Sequence, residues 1–184
     1  MRNAMQPNVH TQIKTQRGFT LIELVVVLVV LSLLAAVAVP KFIEVTKQAE
    51  ASSVRGVLGN LRSALSLRMA QGLINGEELS KWASNGPNAD ERLYPMHDLL
   101  IERPEQYQGI TSGTDSRGAW YDDINNHEVV YVLKNDDIVD NASGDSPQKL
   151  RYRIARINAD GEISNTGETA GLILVPRDNY SWNY

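Results

Sequence analysis

The chain has 184 residues and no cysteine, so no disulfide staples it and its fold must rest on packing or on assembly. Eighteen Lys and Arg stand against 22 Asp and Glu, a net charge of −4, which argues against a general affinity for nucleic acid. The charge is uneven: residues 1–18 hold Arg2, Lys14 and Arg17 with no acid, and without these three the remaining 15 bases against 22 acids give about −7.

The basic leader gives way at Arg17-Gly18-Phe19-Thr20-Leu21-Ile22-Glu23 to a long apolar run. From Leu24 to Val39 every residue is apolar except Ser32, and counting from Phe19 gives 21 positions, close to the ~20 that a helix needs to span a bilayer. The leader's positive charge predicts that it stays on the cytoplasmic side. Glu23 sits at the mouth of this run, where an unpaired carboxylate in hydrocarbon costs several kcal/mol. No Lys or Arg occurs between Phe19 and Val39, so its cation must come from elsewhere, and a freed backbone amino group is the obvious supplier.

Gly18-Phe19-Thr20-Leu21-Ile22-Glu23-Leu24 resembles the processing site of type IV prepilins and type II secretion pseudopilins, and the resemblance extends over roughly 17–73. It implies that a membrane prepilin peptidase cuts between Gly18 and Phe19 and methylates the new Phe19 amine. It implies further that Phe19 and Glu23 serve subunit assembly, Glu23 facing the amine of a neighbouring subunit and so setting the stagger between helices. A glycine before the cut fits closely into a protease groove. Two other readings compete: an ordinary secretory signal cut after Ala36-Val37-Ala38, and a permanent single-span anchor. The first is weakened by Glu23 and by an apolar run longer than the usual ~7–15 residues, and the second leaves Glu23 without a purpose.

Pro40 lacks an amide hydrogen and crowds the preceding turn, which predicts a kink or weak point where the helix leaves the membrane. Beyond it Phe42, Val45, Val54, Val57, Leu58, Leu61, Leu65 and Met69 recur mostly at spacings of three and four, the stripe of an amphipathic helix packed on its own head. Lys41, Glu44, Lys47, Glu50, Arg55 and Arg62 occupy the remainder, with Glu44 and Lys47 spaced to pair.

The helical pattern breaks at Asn75-Gly76 and again at Asn85-Gly86-Pro87, with a short helix expected over 77–84 and another turn over 95–100. Tyr94, Tyr107, Trp120 and Tyr121 are expected at the edge of the core with their polar tips in water. Three strands are predicted: 128–134, 149–157 in strict alternation, and 171–175, with Asp160-Gly161 as a turn. Lys149, Arg151, Arg153 and Arg156 mark the solvated side of the second.

The expected fold is therefore α+β and pilin-like: one long N-terminal helix, half transmembrane and half amphipathic, packed on a small antiparallel sheet. Its divisions are a leader over 1–18, a transmembrane or filament-core helix over 19–39, an amphipathic half over 40–73 and a globular head over 74–184. The stretch from Pro95 through Trp120-Tyr121 to 128 also loosely resembles minor pilins near the mannose-sensitive haemagglutinin group.

Catalytic signatures are missing from the sequence, so an enzyme is not expected. His10, His97 and His127 lack metal-ligand spacing. The run Asp136-Asp137-Ile138-Val139-Asp140-Asn141-Ala142-Ser143-Gly144-Asp145 offers oxygen ligands for calcium but fails the EF-hand spacing, and reads first as a solvated acidic loop. The function implied by the resemblance is a structural subunit of a type IV pilus or related filament. It would begin as a single-pass inner-membrane precursor with its head in the periplasm, and then join an assembly platform and other pilins or pseudopilins at the cell surface or in a pseudopilus. A type II secretion pseudopilin is the alternative, and a membrane-anchored binding protein a third. Many major pilins close a C-terminal loop with a disulfide, from which this cysteine-free chain departs.

Overall fold

The computed structural model describes residues 18–87, 89–140, 144–145, 147–165 and 168–183. The leader before Gly18, with Arg2, His10, Lys14 and Arg17, lies outside them, as do 141–143 of the acidic run. The chain divides into two units, Met1–Phe42 and Ile43–Tyr184. One helix, α1 (Leu21–Asn75), contributes to both, and Pro40 lies inside it.

Within the second unit α1 buries Ala51, Val54, Leu58, Leu61 and Leu65, a ladder of threes and fours that puts one face toward the sheet. Phe42 and Val45, expected in the same stripe, are 71% and 59% exposed. The buried face begins only at Glu50 and Ala51, so the stripe is shorter than its periodicity suggests. Asn75 ends the helix because Gly76 takes a φ of +68°, open to glycine at little cost. The Gly76 and Glu77 amides then donate to the carbonyls of Leu73 (3.2 Å) and Gly72 (2.8 Å), a Schellman closure.

After α1 come a 3-10 turn (Leu79–Trp82) and α2 (Pro95–Leu99), each within the span expected to be helical. Then follow β1 (Tyr107–Thr111), β2 (Trp120–Asp123), β3 (Glu128–Val132), β4 (Val139–Asp140), β5 (Lys149–Ile157), β6 (Gly171–Pro176) and β7 (Ser181–Trp182). Five form one sheet in the order β1-β2-β3-β5-β6, while β4 and β7 pair separately. The α+β expectation holds, with one refinement: β1 runs parallel to β2 while the other neighbours are antiparallel, so the sheet is mixed.

Alternation along β5 sends Leu150, Tyr152 and Ile154 into the core, where they join Val129 and Tyr131 of β3 and Leu172 and Leu174 of β6 against α1. Val130 and Val132 point to the other face and pack with Tyr121. Trp120 and Tyr121, expected at the core's edge, are each 3% exposed. They leave β2 on opposite faces of the sheet, Trp120 into the core against α1 and Tyr121 onto Val130 and Val132, so both faces of this strand are covered.

Candidate assembly segment

The first turn of α1 is built by Thr20. Its hydroxyl accepts the Glu23 amide hydrogen at 3.3 Å while its carbonyl accepts that of Leu24 at 3.2 Å. Thr20-Leu21-Ile22-Glu23 has the spacing of a capping box, and the helix's positive end favours a carboxylate at this position. This role of Thr20 is signalled in the sequence by the T-x-x-E spacing alone.

From Leu21 to Val39 every large apolar side chain is exposed, and Phe19 is 85% exposed. Helix α1 is the one helix among the described residues long and apolar enough to cross a membrane, and the most apolar part of it is wholly unburied within the chain. Ser32 satisfies its hydroxyl locally on the Val29 carbonyl at 2.8 Å. An apolar surface of this extent needs lipid or other protein to cover it. Gly18, Phe19 and Glu23 are all accessible at its N-terminal end. Pro40 cannot donate to the Ala36 carbonyl, so the α1 hydrogen-bond ladder has a built-in gap there.

Lower on α1, Glu50 was expected on the solvated face but is 7% exposed. It accepts the Tyr131 hydroxyl at 3.1 Å, the Lys134 amide at 2.6 Å and the Asn135 side-chain amide at 2.8 Å. Burial, then the Glu50 charge, pushes the Tyr131 hydroxyl's pKa up, so that it remains a donor. Lys47 pairs with Asp137 across the head, where the spacing had suggested Glu44.

The acidic run is drawn onto cations. Arg117 holds Asp136 through two bonds of 2.9 and 2.8 Å, keeping its carboxyl below the usual range, and Asp145 pairs with Arg151. His97 contacts Asp98 at 2.8 Å. His127 is 7% exposed and stacks on Tyr94 with ring centroids 4.4 Å apart, and its Nδ1 has no partner among the described residues.

Residues 13–39 match the family model of the prokaryotic N-terminal methylation motif. The chain is 42% identical over 55 residues to the type IV narrow pilus major component PilA5 of Thermus thermophilus, a match covering 30% of this chain and 47% of that protein. It is 33% identical over 70 residues to the type IV major fimbrial protein FimA of Dichelobacter nodosus, covering 38% and 45% of the two chains. With a fimbrial protein of Moraxella nonliquefaciens it shares 28% identity over 100 residues, or 53% and 63% of the two chains. The chain thus spans about half the length of the first two of these curated relatives. No solved structure matches it. The motif and these relatives, structural pilus components and not enzymes, support a place for the chain in the type IV prepilin family.

Proposed function

We propose that the chain is a structural subunit of a type IV pilus or pilus-like filament. It is made as a membrane precursor with its head in the periplasm, cut after Gly18 by prepilin peptidase, N-methylated at Phe19 and polymerised through α1 on an inner-membrane platform. One observation carries the reading: an entirely unburied apolar helix segment bears a single carboxylate, Glu23, in its first turn. Cleavage at Gly18 creates an α-amino group on Phe19 with a pKa of roughly 8, cationic at neutral pH. Packing the apolar segments of many copies side by side removes their surface from water, and each Glu23 then meets the amine of a neighbour. The Pro40 gap gives the helix a compliant point below this contact.

Glu23→Ala and Glu23→Val subunits should insert and be cut normally yet enter filaments at a small fraction of the wild-type level, as read by immunoblot of sheared filaments. Normal incorporation of either variant overturns the charge pairing. The cysteine-free head is the one feature that favours a type II secretion pseudopilin, and a deletion strain that keeps its pili but retains exoproteins would select that alternative.

A further inference from the structure

The head carries a second feature that filament assembly does not use. Ser84, Arg92, Asn125, Asn126, Arg153 and Arg177 line a cleft of ≈ 300 Å³. Arg153 leaves β5 between the core residues Tyr152 and Ile154, so it projects on the opposite face from them. Asn125 and Asn126 sit on the β2–β3 turn, which Asp123 shapes by accepting the Asn125 backbone amide and the Asn126 side-chain amide, both at 2.8 Å.

The charges are unbalanced. Arg92 is held by the Gly86 carbonyl, which accepts from Nε at 2.9 Å and Nη2 at 2.7 Å. Arg177 donates Nη1 to Glu128 Oε2 at 2.9 Å, and among the described lining residues Glu128 is the one acid against three guanidiniums. Arg153 makes no hydrogen bond or ion pair among the described residues, and its Nε is buried without an acceptor. Buried guanidinium N–H groups are normally satisfied, and their planar fork matches a carboxylate.

Every described residue lining the cleft is polar, so among the described residues an apolar ligand or a peptide anchored by apolar side chains would find nothing to bury against. The amides of Asn125 and Asn126 suit the mixed donor and acceptor character of hydroxyl groups. The volume lies at the small end for ligand sites, enough for about one sugar ring. We propose that this cleft binds an acidic sugar of the uronate type, its carboxylate on Arg153 and its hydroxyls on the asparagine turn. The assignment stands independently of filament assembly.

The test titrates the full-length chain in detergent micelles with D-glucuronate, glucose, acetate and inorganic phosphate, using calorimetry and saturation-transfer NMR. Glucuronate should bind the wild type and bind Arg153→Gln roughly tenfold or more weaker, with the melting temperature unchanged; glucose, acetate and phosphate should each bind the wild type at least about tenfold weaker than glucuronate. Asn125→Ala, on an exposed turn, should weaken glucuronate about threefold or more, and keeps the test open should Arg153→Gln fail to fold. No glucuronate binding, unchanged affinity in a folded variant, or acetate or phosphate binding as tightly as glucuronate would each overturn the proposal, the last by showing a simple anion site.

Discussion

Glu23 and Glu50 lie on one helix in opposite surroundings. Glu23 is exposed in the first turn, whereas Glu50 receives three hydrogen bonds inside the head. Glu50→Ala would leave those donors without an acceptor, so it should lower the unfolding free energy by about 2–4 kcal/mol in chemical denaturation; a loss under about 0.5 kcal/mol would contradict the latch. Asp122, completely buried, accepts from the Met96 amide at 3.0 Å, the His97 amide at 2.7 Å and the Tyr107 hydroxyl at 2.7 Å. Burial outweighs these bonds and raises its carboxyl above the ordinary range. The native state therefore binds this proton at a higher pH than the unfolded chain. The Asp122 contribution to stability grows as pH falls from the raised folded value toward the unfolded one, and shrinks as pH rises. The penalty of Asp122→Asn should accordingly increase as pH is lowered through that window in parallel melts, and a penalty that shrinks on acidification would refute the assignment. Asp136, held down by Arg117, has the opposite sign, and its half-exposed position keeps its effect small.

Among the elements, β5 was legible because alternation from Lys149 to Ile154 leaves one register that hides Leu150, Tyr152 and Ile154, before Ala155 breaks the pattern. Strands β1 and β2 were not. Tyr107–Thr111 is broken by Gly109 and Trp120–Asp123 has four residues, so neither shows a period, and their pairing is set by partners elsewhere in the fold. The two-residue β4 and β7 exist through Val139 facing Trp182, which no local pattern foretells. Helix α1 depends on two special positions. A Cβ on Gly72 would come within 2.2 Å of the Trp82 ring, so Gly72→Ala should cost about 1–3 kcal/mol by displacing that indole, and a neutral effect would show the contact to be slack. Pro40→Ala restores the donor to Ala36, and amide exchange just beyond residue 40 should slow in micelles; unchanged exchange would contradict a weak point at Pro40.

At the scale of the whole molecule, the described residues up to Phe42 are exposed throughout, whereas those from Ile43 onward enclose a core. A chain beginning at Ile43 should be soluble and melt cooperatively, while the full chain should need detergent; aggregation of the shortened chain would show that its core is incomplete. The long apolar helix was legible because its length and apolarity read directly from the residues. Glu50 and the Arg153 cleft were not, because each is defined by neighbours more than 20 residues away that only the fold assembles. The claim that most of the account depends on is that Phe19 becomes a free, methylated N-terminus able to meet Glu23 of another copy. Intact-mass analysis of the protein sheared from its native host's surface or membranes tests it most directly. The chain should begin at singly methylated Phe19, and one that retains residues 1–18 would show that no such N-terminus forms.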